Sequence, residues 1–160
     1  MHQLSAHLKD ERGQALVEFA LVIPILLLVL LAVLQFGKAI NYWNDATHIT
    51  AEGARYAAVN RKPNPASALS LQAQLLAQAD ATELRSGGSA SLPAGAQVCV
   101  EYPNNTSAVG DPVLVRMRFT YHWMPFISKF LPSKVANTTI QSTAVMRLEA
   151  PPTTYVAGCA

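Results

Sequence analysis

The feature that most constrains this chain is an apolar run near the start of its 160 residues. Residues 15–34 read ALVEFALVIPILLLVLLAVL, and Glu18 is the only charged residue between Gly13 and Gly37. At about 1.5 Å per residue, a helix of this length reaches about 30 Å, the thickness of a bilayer's hydrocarbon core. The run therefore predicts one membrane-spanning helix over residues 14–37.

The residues on either side of the run indicate how it is inserted. A cleavable secretory signal needs only about 7–15 apolar residues and a small-residue cleavage pattern, which the sequence QFGKA after Leu34 lacks. Lys9 and Arg12 precede the run and Lys38 follows it. Because acidic residues count little in the positive-inside rule, the short leader is predicted to be cytoplasmic and the rest of the chain to be exported.

Length and charge limit what the exported part can be. The chain has room for one domain of ordinary size beside its anchor. Twelve Lys and Arg against ten Asp and Glu give a net charge of +2. This is far from the strongly basic balance of nucleic-acid-binding domains, so no nucleic acid is expected as a partner.

The two cysteines, Cys99 and Cys159, lie in the part predicted to be exported. An even number of cysteines in an exported domain permits one disulfide, and their spacing fits no zinc motif. The alternative is two unrelated thiols, one of them in a loose tail.

The periodicity of the exported part predicts an α+β fold. The first helix is expected to continue to about residue 60, because prolines at 63 and 65 stop it. A second helix is predicted over about residues 66–85. Alternation of apolar and polar residues then predicts about three antiparallel strands, over residues 97–102, 113–121 and 138–148.

Mostly small residues recur at three- and four-residue steps along the exported part of the first helix. They form a narrow stripe made of Ile40, Trp43, Thr47, Ala51, Ala54 and Ala58. Small residues let helix backbones approach closely, so the stripe suits packing against another helix. The alternative is that it covers the chain's own domain.

The residues that usually carry chemistry are scattered. The histidines occur singly and without metal-ligand spacing, at His2, His7, His48 and His122. Nucleophile-elbow, phosphate-loop and dinucleotide-binding motifs are missing from the sequence. We therefore predict no catalytic residues, no cofactor and no metal, and expect a protein that is not an enzyme.

Three arginines are the one candidate for a charged binding surface. Arg116, Arg118 and Arg147 fall on the predicted outer faces of neighbouring strands, where they could bind phosphate or an acidic partner. The alternative is an ordinary solvated face.

Two residues inside the apolar run need an explanation. An ionised Glu18 at the bilayer centre costs roughly 2.5–3.5 kcal/mol, so it either reaches the interface or meets a partner. Pro24 removes one hydrogen bond of the helix, which either permits a kink or is simply tolerated.

The segment from Gly13 to Phe19 resembles the class III prepilin processing motif of the tight-adherence (Tad or Flp) pilus system. It has a glycine, four further residues, and then Glu18 followed by an aromatic residue, directly ahead of the apolar run. The resemblance implies that a prepilin peptidase cuts between Gly13 and Gln14 and releases a cytoplasmic leader, residues 1–13. Glu18 and Phe19 would then be the fifth and sixth mature residues.

The resemblance to TadE-like minor pilins, or pseudopilins, covers most of the chain. It is carried by RGQALVEFALVIPILLLVLLAVLQFGKAI, AEGARYAAV, residues 113–121 and STAVMRLE, but residues 62–110 match nothing in that family. It implies a bacterial inner-membrane protein with a periplasmic or extracellular domain that acts in assembly of a pilus for surface attachment. Its partners would be other pilin and minor pilin subunits and the Tad assembly platform.

Two other functions fit the same anchor. A membrane-anchored periplasmic binding module outside any pilus would keep its leader. An anchored enzyme would need a polar cleft that the sequence does not indicate.

Overall fold

A computed structural model describes residues 11–123 and 132–160 of the chain. It divides into two compact units, Met1–Phe36 and Gly37–Ala160. The helices are α1 (Glu11–Ala58), α2 (Leu71–Ala77), α3 (Thr82–Ser86) and α4 (Ser133–Ala136). The strands are β1 (Gln97–Glu101), β2 (Pro112–His122), β3 (Asn137–Arg147) and β4 (Gly158–Cys159).

The first unit contains the part of α1 that carries the apolar run. Its large apolar side chains, among them Phe19, Leu26 and Phe36, are exposed rather than packed into a core. Exposed apolar surface of this extent is unfavourable in water and favourable in hydrocarbon. By length and composition this helix is able to cross a membrane, which fits a single-pass protein with a C-terminal domain.

The second unit contains a four-stranded antiparallel sheet in the order β3-β2-β1-β4. β2 and β3 pair along their whole length, from Pro112 opposite Arg147 to His122 opposite Asn137. A long helix followed by further helices and an antiparallel sheet confirms the predicted α+β fold class. The sheet has one strand more than the sequence pattern indicated, because β4 is only two residues long.

The core of the second unit lies between one face of the sheet and α1. Alternate residues of β2 are buried on that face, namely Val113, Val115, Met117, Phe119 and Tyr121. The Tyr42 ring packs edge-on against Phe119, and Gly53 lies against Val115. Since the α1 residue number rises as the β2 number falls, the helix runs antiparallel to β2.

The face of α1 that covers the sheet is not the predicted stripe. Its buried residues are Ala39, Tyr42, Ala46, Ile49, Thr50, Gly53, Ala54, Ala57 and Ala58. Of the stripe, only Ala54 and Ala58 are buried, whereas Ile40, Trp43 and Ala51 are exposed. At about 100° per residue, the buried face lies roughly a quarter turn from the stripe. The stripe therefore covers its own domain only near the end of the helix.

The segment predicted as a second helix over about residues 66–85 contains two short helices, α2 and α3. Ser70 caps the N-terminus of α2 by accepting a bond from the Ala73 amide. The chain then turns, and Asp45 on α1 accepts the Ala81 amide at 3.1 Å, immediately before α3. A long-range bond from α1 thus divides a stretch whose composition favours helix throughout.

Gly53 marks the closest approach of α1 to its neighbours. A Cβ atom there would lie 2.6 Å from Leu75 Cδ1 and 3.2 Å from Val115 Cγ1. We expect Gly53→Ala to lower the free energy of unfolding by about 1 kcal/mol, because overpacking outweighs the gain in helix propensity. Gly37→Ala is the matched control, since nothing lies within 4 Å of its Cβ. It should stabilise the chain by up to about 1 kcal/mol.

Urea unfolding of the detergent-solubilised chain, followed by circular dichroism, measures both changes. Equal stability of the two variants would show that α1 does not need a glycine at residue 53.

Candidate functional site

The segment that resembles the processing motif lies within α1. Gly13 and Gln14 are both helical and exposed, near the start of the described residues.

The Glu18 carboxylate lies one helical turn beyond the bond between Gly13 and Gln14. Gln14 Nε2 donates to Glu18 Oε1 at 3.2 Å, and both side chains are exposed. If the chain began at Gln14, its α-amine would stand one turn from Glu18. Phe19 is exposed beside it.

Pro24 lies inside α1, and the helix runs through it without interruption. Proline has no amide to donate, so the carbonyl one turn earlier lacks its usual bond. A kink at this residue stays a prediction.

The C-terminal tail, residues 149–160, contacts the other end of α1. Asn60 has a positive φ of 53°, the left-handed conformation that commonly ends helices and that asparagine tolerates. Its Oδ1 accepts the amides of Thr153 and Thr154, each at 2.9 Å, and its Nδ2 donates to Thr153 Oγ1 at 2.7 Å. One side chain thus joins the end of the helix to a segment more than ninety residues away.

Two further contacts hold the tail against the last turn of α1. The Ala58 carbonyl accepts the Glu149 amide at 2.8 Å. The buried Tyr155 hydroxyl donates to the Ala57 carbonyl at 2.9 Å. Burial, and then the neighbouring Tyr102, raise the pKa of Tyr155 above its ordinary value, so its hydroxyl stays protonated as a donor even in alkaline solution.

The tail ends at the edge of the sheet, where β4 pairs with β1. Cys99 and Cys159 form a disulfide there, with their Cα atoms 4.0 Å apart. Gln72 on α2 donates to the Val156 and Gly158 carbonyls at 2.8 and 3.2 Å. The tail is therefore fastened to α1, to α2 and to β1.

The three arginines do not form one cluster. Arg116 pairs with Glu101 at 3.2 Å, and Arg118 donates to Gln97 through Nε and Nη2. Arg147 lies opposite Pro112 in the sheet. Pro112 is four residues from Arg116 along β2, which separates their backbones by about 13 Å. The interpretation as an ordinary solvated face fits this arrangement better than a phosphate site does.

The remaining titratable groups do not converge. Within residues 11–123 and 132–160, no three His, Cys, Asp or Glu side chains are placed to hold a metal ion. His48 is exposed, and its Nδ1 lies 3.9 Å from Glu52 Oε2. The backbone amide of His122 donates to the Ser91 carbonyl. His2 and His7 fall outside the described residues.

Residues 13–55 match the family model of TadE-like proteins. The N-terminal segment of this chain is TadE-like. The TadE-like segment contains Gly13, Glu18 and Pro24, and it also contains Gly53 on the face of α1 that packs against the sheet. The match supports the Tad-pilus association indicated by the sequence motifs. Neither the curated proteins nor the solved structures contain a significant match to the chain.

The sequence reasoning missed Asn60 and its threonine partners. A signal was available, because an asparagine directly after a helical pattern is a common C-terminal cap. The threonines carry no comparable local signal, since their role depends on where the tail returns.

Asn60 contributes both its backbone conformation and its side-chain bonds. Asn60→Ala should destabilise the domain by about 1–2 kcal/mol, because alanine tolerates positive φ poorly and cannot bind the tail. Asn60→Gly restores the backbone freedom but not the bonds, so it should be of intermediate stability. Chemical denaturation of both variants measures their free energies of unfolding. Equal stability of Asn60→Ala and the wild type would show that Asn60 is not a stabilising helix cap.

Proposed function

We propose that this chain is a TadE-like minor pilin that acts in assembly of a tight-adherence pilus for surface attachment. In this proposal residues 14–37 anchor it in the bacterial inner membrane, and its C-terminal domain lies in the periplasm or outside the cell. The family match over residues 13–55 and the exposed apolar helix support this function. We further propose that the chain works in assembly and not in catalysis.

The observation that carries the proposal is the position of Gly13 and Glu18 at the head of the apolar helix. A cut after Gly13 creates a positive α-amine on Gln14, and Glu18 supplies a negative charge one turn further along. Burying that carboxylate alone among apolar helices costs roughly 2.5–3.5 kcal/mol. The amine of a neighbouring subunit would offset this cost, because each charge compensates the burial of the other.

The partners follow from this arrangement. A prepilin peptidase of the membrane would remove residues 1–13, and other pilin and minor pilin subunits would pack against α1. The Tad assembly platform would move the subunit out of the bilayer. An exported domain also fits the disulfide between Cys99 and Cys159, because such bonds persist mainly in oxidising compartments.

Mass spectrometry of the mature N-terminus tests the processing step. We expect a chain that starts at Gln14, and Gly13→Leu should abolish the cut while the protein stays in the membrane. Gly37→Leu is the control, because that helical glycine has no neighbour within 4 Å and lies outside the motif. It should be trimmed normally. A mature chain that still starts at Met1 would remove the processing claim.

Glu18→Gln tests the charge pairing. It keeps the size of the side chain and removes its charge, so insertion and trimming should be unchanged while the amount of assembled pilus falls at least tenfold. Glu52→Gln, at a half-buried residue further along the same helix, should leave pilus abundance normal. Quantitative blotting of sheared surface fractions measures both, and normal pilus abundance with Glu18→Gln would show that pairing is not needed.

A further inference from the structure

The outer edge of β3 is a long edge of the sheet, and no further strand of residues 11–123 or 132–160 pairs with it. β3 has eleven residues, and its register with β2 continues from Asn137 to Arg147 without a bulge. β3 is the last strand on its side of the sheet. It therefore presents a straight row of backbone donors and acceptors.

The hydrogen-bond pattern shows which residues of β3 face outward. The last pair in the register of β2 and β3 is His122 with Asn137, and the next pair along is Trp123 with Ala136. The Trp123 amide donates to the Ala136 carbonyl, so Trp123 and Ala136 form a hydrogen-bonded pair. Bonded and non-bonded pairs alternate in an antiparallel ladder. The odd-numbered residues of β3 therefore point their amides and carbonyls away from β2. The four central ones are Thr139, Gln141, Thr143 and Val145, all exposed.

Nothing in the described part of the chain meets these outward groups. At the start of β3 the Asn137 amide donates to the Ser133 carbonyl of α4. Apart from this bond and the ladder with β2, the bonds that β3 makes in residues 11–123 and 132–160 use side chains: Trp123 Nε1 donates to Thr138 Oγ1, and Ser142 Oγ bonds with Thr50 Oγ1. The outward amides and carbonyls are thus available to an added strand.

Except for Arg147 at its end, the edge also lacks the usual protection against strand addition. Natural edge strands commonly carry charges, prolines or bulges that prevent another strand from pairing with them. From residue 137 to residue 146, β3 has no charged residue, proline or glycine. The opposite edge differs, because β4 and the disulfide of Cys159 cover β1. Among the described residues, β4 thus pairs with one edge of the sheet, and no strand pairs with the other.

We propose that the outer edge of β3 binds an extended, uncharged segment of a partner chain as a fifth, antiparallel strand. Arg116 and Arg118, the charged neighbours on β2, contact Glu101 and Gln97 on β1 and so turn away from β3. From residue 137 to residue 146 the side chains of β3 are hydroxyl, amide and apolar groups, and Arg147 carries a charge at the end of the strand. An uncharged strand therefore fits without leaving a charge unpaired.

A second copy of this chain is the alternative occupant. Tyr42 packs on Phe119 and Gly53 on Val115, so α1 runs antiparallel to β2 and in the same direction as β3. Antiparallel pairing of two β3 strands would therefore make the two α1 segments from residue 37 onward run in opposite directions.

A synthetic peptide with the sequence of β3, NTTIQSTAVMR, is a suitable probe because it is free of the anchor. The peptide can pair antiparallel with β3 so that its Ser142 lies opposite Ser142 of the chain. Gln141 is then opposite Thr143, Thr139 opposite Val145 and Arg147 opposite Asn137, so no like charges meet. We expect the peptide to slow amide exchange at the outward residues of the full chain in detergent micelles at least tenfold. Even-numbered residues, already bonded to β2, should change little.

Thr143→Pro is the decisive variant, because it removes one outward amide and no bond to β2. Thr143→Val is its matched control and keeps the amide. Both should fold as the wild type does, and only the proline variant should lose peptide binding, at least tenfold.

Three results would overturn the proposal. The first is a peptide that leaves the outward amides unprotected, and the second is a Thr143→Pro variant that binds the peptide as well as Thr143→Val does. A chain that dimerises by itself with these amides protected would make a second copy the occupant.

Discussion

One helix has to be stable in two different solvents, and the rest of the structure depends on this constraint. The first part of α1 exposes its apolar side chains all around, which is favourable only in hydrocarbon. From Ala39 onward, one face is buried against the chain's own sheet and the others are polar or mixed. The change at about residue 37 coincides with the boundary between the two compact units.

The second part of the helix is stabilised by close contact. Ala46, Ala54 and Ala57 on the buried face are fully covered, and Gly53 leaves no room for a side chain. Small residues contribute little apolar area each, but they let the sheet come near enough for Tyr42 and Ile49 to fill the core. The tail then returns to the same helix through Asn60 and Tyr155. The domain is thus built around the end of its own anchor.

The sequence was most informative where a pattern is long. The apolar run predicted the anchor and, with the alternation in β2 and β3, the α+β class; both the class and the resemblance to TadE-like proteins are confirmed. These features depend on periodicity and composition over ten residues or more, which the fold hardly alters.

Features that depend on distant contacts could not be read from the sequence. The division of the second helix depends on Asp45, which is far away in the chain. The short strand β4 exists because its two residues meet β1 at the disulfide, not because of its composition. The small residues of the stripe do recur at helical spacing, but the sheet packs against the neighbouring face of α1. That face carries Tyr42 and Ile49, which bury more apolar area than alanines do.

Residue-resolved amide exchange along α1, in a lipid bilayer and with increasing urea, tests the two-solvent account most directly. The account predicts that residues 38–58 lose protection together with the sheet, at the urea concentration that unfolds the domain. Residues 14–37 should stay protected by the bilayer. Loss of protection along the whole helix at one urea concentration would contradict it.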